Sequence, residues 1–290
     1  MIAWALALGV LAVALAWPVP VTLSAAHWPA ARPAVALALW QLIALAGGLS
    51  MIGSLLLLGS APAGSIVGAA EALLPHFFDG DLPPGFGVAH LAALTLAVGL
   101  AVHLSLNLGL TVARAERERR RQHHLIAVLS DPLPDSPQTR VLPHPVPLAY
   151  CVPGVRTATV LTDGLVSALD DRELAAVVAH ERSHLDQLHH LVLVAFRAWH
   201  SALPWFPIAN RAERSVTLLT EMLADDGAIR EVGADPLRRA LARLGTAGEP
   251  GAYADSGGVA PDAMMLEARL ARLVPADPQA DPRDIRPHAA

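Results

Sequence analysis

The chain has 290 residues, 53% hydrophobic and 16% charged, with a net charge of −5 and a mean hydropathy of +0.43. This balance points to a membrane protein, while so mild a charge says little about partners. Lysine is absent and Cys151 is the lone cysteine, which rules out an intramolecular disulfide and fits a reduced compartment.

A membrane crossing needs about 20 apolar residues, and three segments within residues 1–113 qualify: about 2–23, 34–59 and 88–112. The first has no basic leader and two more spans follow it, so it reads as an uncleaved anchor. The third carries His103 and Asn107 at i,i+4, a pair suited to interhelical hydrogen bonds. Residues 114–144 begin with the basic run Arg114-Ala115-Glu116-Arg117-Glu118-Arg119-Arg120-Arg121 and continue into a Pro-rich linker. Arginine excess marks the cytoplasmic side. The expected arrangement is therefore a multi-pass protein of the cell membrane, with the N-terminus outside and the following domain cytoplasmic. Lying against a span, the basic run is explained by topology and lipid headgroups, and no direct nucleic-acid binding is expected.

Residues 145–275 read as one domain. Arg156 to Leu161 has the alternation of a short β-strand, and Cys151 reads as packing in an apolar strand. A helix then starts with Asp170 as cap and Glu173 three residues on, a capping box. Its apolar run Leu174 to Ala179 leads into His180-Glu181-Arg182-Ser183-His184. Histidines at i and i+4 share a helix face and can grip one metal ion; the Glu beside the first can act as general base. This H-E-x-x-H arrangement is the core of a zinc peptidase site.

A third ligand has two candidates. His190 sits at the spacing used when a Gly turns the chain back to the metal, but Gln187 holds that Gly position. If the helix continues through His190, at about 100° per residue its imidazole points roughly 120° away from His184. Glu221, in Thr220-Glu221-Met222-Leu223-Ala224-Asp225, lies on another apolar helix, where Asp225 at i+4 can orient a ligand imidazole. Arg214, seven residues before Glu221, is a candidate for oxyanion stabilisation or for a salt bridge to Glu221 or Asp225.

Between the two motifs, residues 191–208 are apolar and tempt a fourth span. A single crossing would put His184 and Glu221 on opposite faces of the membrane. Arg197, His200, Pro204 and Pro207 also oppose a lipid-facing span. The segment is expected to be re-entrant or interfacial, with its aromatics at headgroup level. Leucines at 237, 241, 244, 266, 270 and 273 mark later helices around a Gly-rich stretch, and the tail 276–290 is expected to be disordered.

The run from Ala149 to Gly154, then Thr159 to Leu165, Leu169 to His184, Glu221-x-x-Ala224-Asp225 and Leu266 to Leu270 resembles the membrane-bound gluzincin metallopeptidases. It is most similar to the BlaR/MecR-type antirepressor peptidases, with the HtpX and CAAX prenyl protease type a near relative. The resemblance implies a mainly α fold: a multi-pass α-helical membrane protein with a gluzincin-like zinc peptidase domain containing a short β-strand or small sheet. It implies one Zn2+ per chain on His180, His184 and Glu221, Glu181 as catalytic base, and Asp225 orienting a ligand. It also implies an edge strand that pairs with extended substrate, and a protein substrate such as a cytoplasmic repressor. BlaR-type sensors carry a penicillin-binding domain after the peptidase; the sequence stops at Ala290, and β-lactam sensing is not expected. Two alternatives stand beside this reading. One is an HtpX-like membrane-protein quality-control peptidase. The other is a non-catalytic, zinc-containing signal transducer, against which an intact Glu181 argues.

Overall fold

The computed structural model describes residues 1–76, 81–133, 136–152, 158–202, 207–247 and 263–274. The tail expected to be disordered and the Gly-rich stretch before the last helix fall outside the described residues. In chain order the elements are α1 (Ile2–Ala16), α2 (Pro18–Ala25), α3 (Trp28–Ala31), α4 (Pro33–Gly59), α5 (Ile66–Leu73) and α6 (Val88–Leu129). Then follow β1 (Asp131–Leu133), β2 (Ser136–Leu142), β3 (Ala149–Val152), β4 (Ala158–Thr162), α7 (Asp163–Ala168) and α8 (Asp171–Asp186). The chain continues through α9 (His189–Ala202), α10 (Pro207–Val232), α11 (Ala234–Ala247) and α12 (Ala263–Leu273). Two compact units result, one of residues 1–121 with 188–220, the other of 122–187 with 221–290.

The first unit holds three helical stretches long and apolar enough to cross a membrane: Ile2–Ala25, Pro33–Gly59 and Val88–Ile126. The first is interrupted at Trp17, where Pro18 opens α2 without a backbone N–H to give. Small residues let the helices approach closely. The Ser54 hydroxyl donates to the Ala5 carbonyl at 2.8 Å, tying α4 to α1. A Cβ on Gly59 would lie 2.8 Å from the His90 carbonyl oxygen, so only glycine lets α4 meet α6 there. The outer faces stay apolar and exposed, with Leu6, Val10 and Val13 on α1, Leu42, Leu45 and Leu49 on α4, and Leu96, Val102 and Leu106 on α6. Apolar surface this extensive suits hydrocarbon and not water.

The expected hydrogen bonding of the polar pair on the third span is present. His103 Nε2 is 3.2 Å from the Ala202 carbonyl of α9, and the Asn107 amide donates to the Ala198 carbonyl and the Ser201 hydroxyl.

The second unit begins with the last turns of α6, which run on past the basic segment without a break. Where the prolines suggested a linker, the chain forms an antiparallel β1–β2 pair. Pro132 sits in an edge strand beside a register irregularity, a position that tolerates the missing N–H. Arg140 on β2 donates to the Ile126 and Ser130 carbonyls and so caps the C-terminal end of α6.

The sheet order is β1-β2-β4-β3, with β2 parallel to β4 and β3 antiparallel to β4. The strand expected from residue 156 is β4. It lies inside the sheet with both neighbours occupied, and the edge strand on that side is β3. Leu161 and Leu165 pack with Leu169, Val177 and Ala240. Ala176 and Ala179 on the next face of α8 pack with Ala228, Leu237 and Leu273. Both clusters fix α8 between the sheet and the later helices.

Candidate metal centre

Helix α8 has the start its sequence implies. The Asp170 carboxylate accepts from the Arg172 and Glu173 N–H groups, each at 2.9 Å, and the Glu173 carboxylate accepts the Asp170 N–H at 3.1 Å. Glu173 is fully buried, between Arg239 and Arg243. The capped helix carries His180 and His184 on one face. Its other close neighbour is α10. A Cβ on Gly227 would lie 2.1 Å from the Ser183 hydroxyl, so glycine at this crossing lets the α10 acids reach the α8 histidines.

The result is a tight group. His180 Nε2 and His184 Nε2 are 3.1 Å apart. Glu221 presents Oε2 at 3.4 Å from the first and Oε1 at 3.3 Å from the second. Four-coordinate zinc with bonds of about 2.0–2.1 Å separates neighbouring donors by about 3.3–3.4 Å. Lone pairs of two imidazoles and a carboxylate converge poorly unless a proton or cation lies among them. His180, His184 and Glu221 could therefore hold a metal ion, and the donor chemistry suits zinc.

The surroundings orient these donors. His180 Nδ1 lies 2.9 Å from Asp225 Oδ1, a close but bent contact. That carboxylate favours the proton on Nδ1 and leaves the Nε2 lone pair for a metal. Arg269 of α12 completes the arrangement. Its Nε and Nη2 grip both oxygens of Asp225, and Nη1 donates to Glu221 Oε2 at 2.8 Å. Arg269 is 7% exposed and Asp225 1%, so these charges depend on one another and not on water. Among the described residues, this arginine on α12 is the one that pairs with both acids. Arg214 is exposed on α10 and makes no ion pair with any described residue.

The electrostatics follow. Burial opposes a charge on His180, but Asp225 and Glu221 outweigh it and raise its pKa to about 9. Burial also works against Glu221, yet the two histidines and Arg269 hold its carboxyl well below the usual range. Glu181 goes the other way. Loss of hydration raises its pKa, against the pull of His180, His184 and the nearby Cys151 backbone N–H. Burial pushes the Cys151 thiol up to about 11, although its hydrogen bond with Thr159 opposes this. It is an inert packed thiol, as read from sequence.

The Cys151 contact also places β3. The Thr162 N–H donates to the Leu148 carbonyl, and pairs in an antiparallel ladder alternate between bonded and non-bonded. With Tyr150 opposite Val160 and Cys151 opposite Thr159, the backbone groups of Ala149 and Cys151 point away from β4. Among the described residues they form the free edge, with Cys151 near Glu181.

His190 does not share the helix of His180 and His184. The helix does not continue through it. α8 stops at Asp186, Leu188 adopts a left-handed φ of 52°, and a new helix starts at His189. The phase of α8 therefore does not set the direction of His190, which is not among the described residues that could share an ion. If Glu221 is the third ligand, Glu221→Ala lowers zinc affinity by at least ~100-fold, above the 10–100-fold typical of losing a supporting partner. His190→Ala leaves affinity unchanged. Competition titration with a chromophoric chelator reads both, and the reverse pattern sinks the assignment.

No curated protein and no solved structure matches the chain. Residues 113–237 match the sequence profile of Peptidase family M48. That stretch holds both histidines, Glu181, Glu221 and Asp225, and it supports reading the chain as a metallopeptidase on helices able to span a membrane.

Proposed function

We propose that the chain is an integral membrane zinc metalloendopeptidase that cleaves proteins at the cytoplasmic surface of the membrane. The observation that carries this reading is the convergence of His180 and His184 on Glu221, with the Glu181 carboxylate one residue away. His180, His184 and Glu221 would hold one zinc, whose chemistry is Lewis-acid polarisation of a carbonyl and acidification of a water. Glu181, with a pKa raised by burial, is suited to take a proton and return it to the departing amine. Asp225 holds His180, and Arg269 holds Asp225 and Glu221. The free edge of β3 offers the Ala149 backbone groups and the Cys151 carbonyl to an extended segment of substrate, which gives affinity with little sequence preference.

The BlaR/MecR-like motifs favour a cytoplasmic repressor as substrate over general quality control. The basic end of the third span favours an outside N-terminus and a cytoplasmic peptidase domain. Purified protein in lipid should contain one zinc per chain. Chelation should abolish cleavage of a co-reconstituted candidate repressor, and added zinc should restore it. Cleavage that survives complete zinc removal overturns the metallopeptidase reading; a zinc-dependent enzyme that digests unfolded membrane proteins but no repressor shifts the substrate to quality control.

A further inference from the structure

We propose that α9 enters the bilayer as the first arm of a re-entrant hairpin, and that His103 and Asn107 cap its buried end. The partner of the outer face of α9 is then lipid hydrocarbon, not the headgroup plane. The inference rests on the reading of Val88–Ile126 as a membrane span.

The last turn of a helix leaves carbonyls without intrahelical partners. In water they are hydrated at no expense, and in hydrocarbon each must find a protein donor. His103 serves one of them, the Ala202 carbonyl. Asn107 adds a donor one turn earlier, to the Ser201 hydroxyl and to the Ala198 carbonyl that this hydroxyl also serves. A helix lying in the headgroup region would not need such donors.

The contacts also fix direction. Asn107 on α6 meets Ala198 and Ser201 of α9. At its end, Ala202 meets His103. α9 therefore runs antiparallel to α6, from the basic segment back along the span. His200 and Glu213 then pair at 3.3 Å, so the start of α10 returns alongside α9.

Depth follows from helix rise. His103 lies about 16 Å along α6 from Arg114, roughly half of a hydrocarbon layer about 30 Å thick. The residues of α9 fit this path: Leu191 and Ala195 are exposed and apolar, and Phe196 is buried. Arg197 is exposed and lies only about 9 Å from the basic end by the same rise, within reach of the interface for a long flexible stem. Trp199 then lies well below the headgroups, whereas the apolar pattern alone suggested aromatics at their level. Trp205 and Phe206 fall outside the described residues.

The test is depth measurement on the full chain, reconstituted in phosphatidylcholine–phosphatidylglycerol liposomes in a Cys151→Ser background. Single cysteines at Leu191, Ala195 and Trp199 carry a spin label, and saturation by oxygen is compared with saturation by a water-soluble nickel chelate. Leu106 on α6, 63% exposed, is the control for hydrocarbon. The three α9 labels should sink by about 6 Å per step of four residues, with the last nearly as deep as Leu106. Equal, shallow depths along α9 with a deep Leu106 label overturn the hairpin. A shallow Leu106 label overturns the span itself, and the hairpin with it. In a His103→Leu/Asn107→Leu variant the Trp199 label should rise toward the interface by about a helical turn; an unchanged depth overturns the capping role.

Discussion

Glu181→Gln protein should keep one zinc per chain and lose proteolysis by about 10²- to 10⁴-fold, the range spanned by a positioned general base. Glutamine has nearly the same shape as glutamate. Its carbonyl oxygen can still face the Cys151 backbone N–H that favours the carboxylate. It differs in having no carboxylate to take up a proton. Loss of hydration raises the Glu181 pKa while His180 and His184 pull it down, so the native group sits in an environment that strengthens it as a base. Elemental analysis and cleavage kinetics on the same preparation separate the two functions. Full activity in the variant would exclude Glu181 as the base. Loss of zinc would mean that the residue supports the metal and not the proton transfer.

The parts of this protein that sequence exposes are those governed by neighbours within one or two turns. The α8 capping box depends on Asp170 and Glu173, and the i,i+4 spacing of His180 and His184 fixes a shared face without tertiary information. The three apolar stretches are equally local, being a matter of length and composition. The break after α8 was hidden because its left-handed residue is Leu188. Neither Gly nor Asn marks the turn, and an L-residue there costs about 1–2 kcal/mol, so pattern reasoning extended the helix. The β1–β2 pair was hidden by its prolines, which resemble a linker until an edge position is known. The assignment of β4 as interior needed the pairing of β2 with β4 across intervening β3, which no local pattern encodes. Arg214 shows the same limit from the other side. Its spacing on α10 suggested an oxyanion role or a salt bridge to Glu221 or Asp225; the salt bridges present come from Arg269, 44 residues from Asp225 and 48 from Glu221 in the chain. Resemblance pointed to the α12 segment; only the folded chain shows which carboxylates its arginine holds.

Arg269→Met should be the most destabilising single change at this centre, and zinc should reverse much of the loss. Methionine keeps most of the side-chain volume and removes the guanidinium. Asp225, 1% exposed, then loses both of its bonds to Arg269, and Glu221 loses one. Removing one partner of a buried ion pair costs about 3–5 kcal/mol, because the remaining charge is left without water or counterion. The Arg182–Glu231 pair is the internal comparison: its side chains are 56% and 53% exposed, and exposed pairs are worth about 0–1 kcal/mol. Arg182→Met should accordingly change the thermal midpoint little. Zinc acts on Arg269→Met through the same acids. A divalent ion on His180, His184 and Glu221 restores positive charge beside Glu221 and, through His180, beside Asp225. Thermal unfolding in detergent, with and without zinc, should show a large loss for metal-free Arg269→Met and a clearly smaller loss for the zinc-loaded variant. Adding Asp225→Asn should recover part of the metal-free loss by removing one stranded charge. Equal destabilisation with and without zinc, and no recovery from Asp225→Asn, would show that Arg269 acts through packing and not through the charges of the centre.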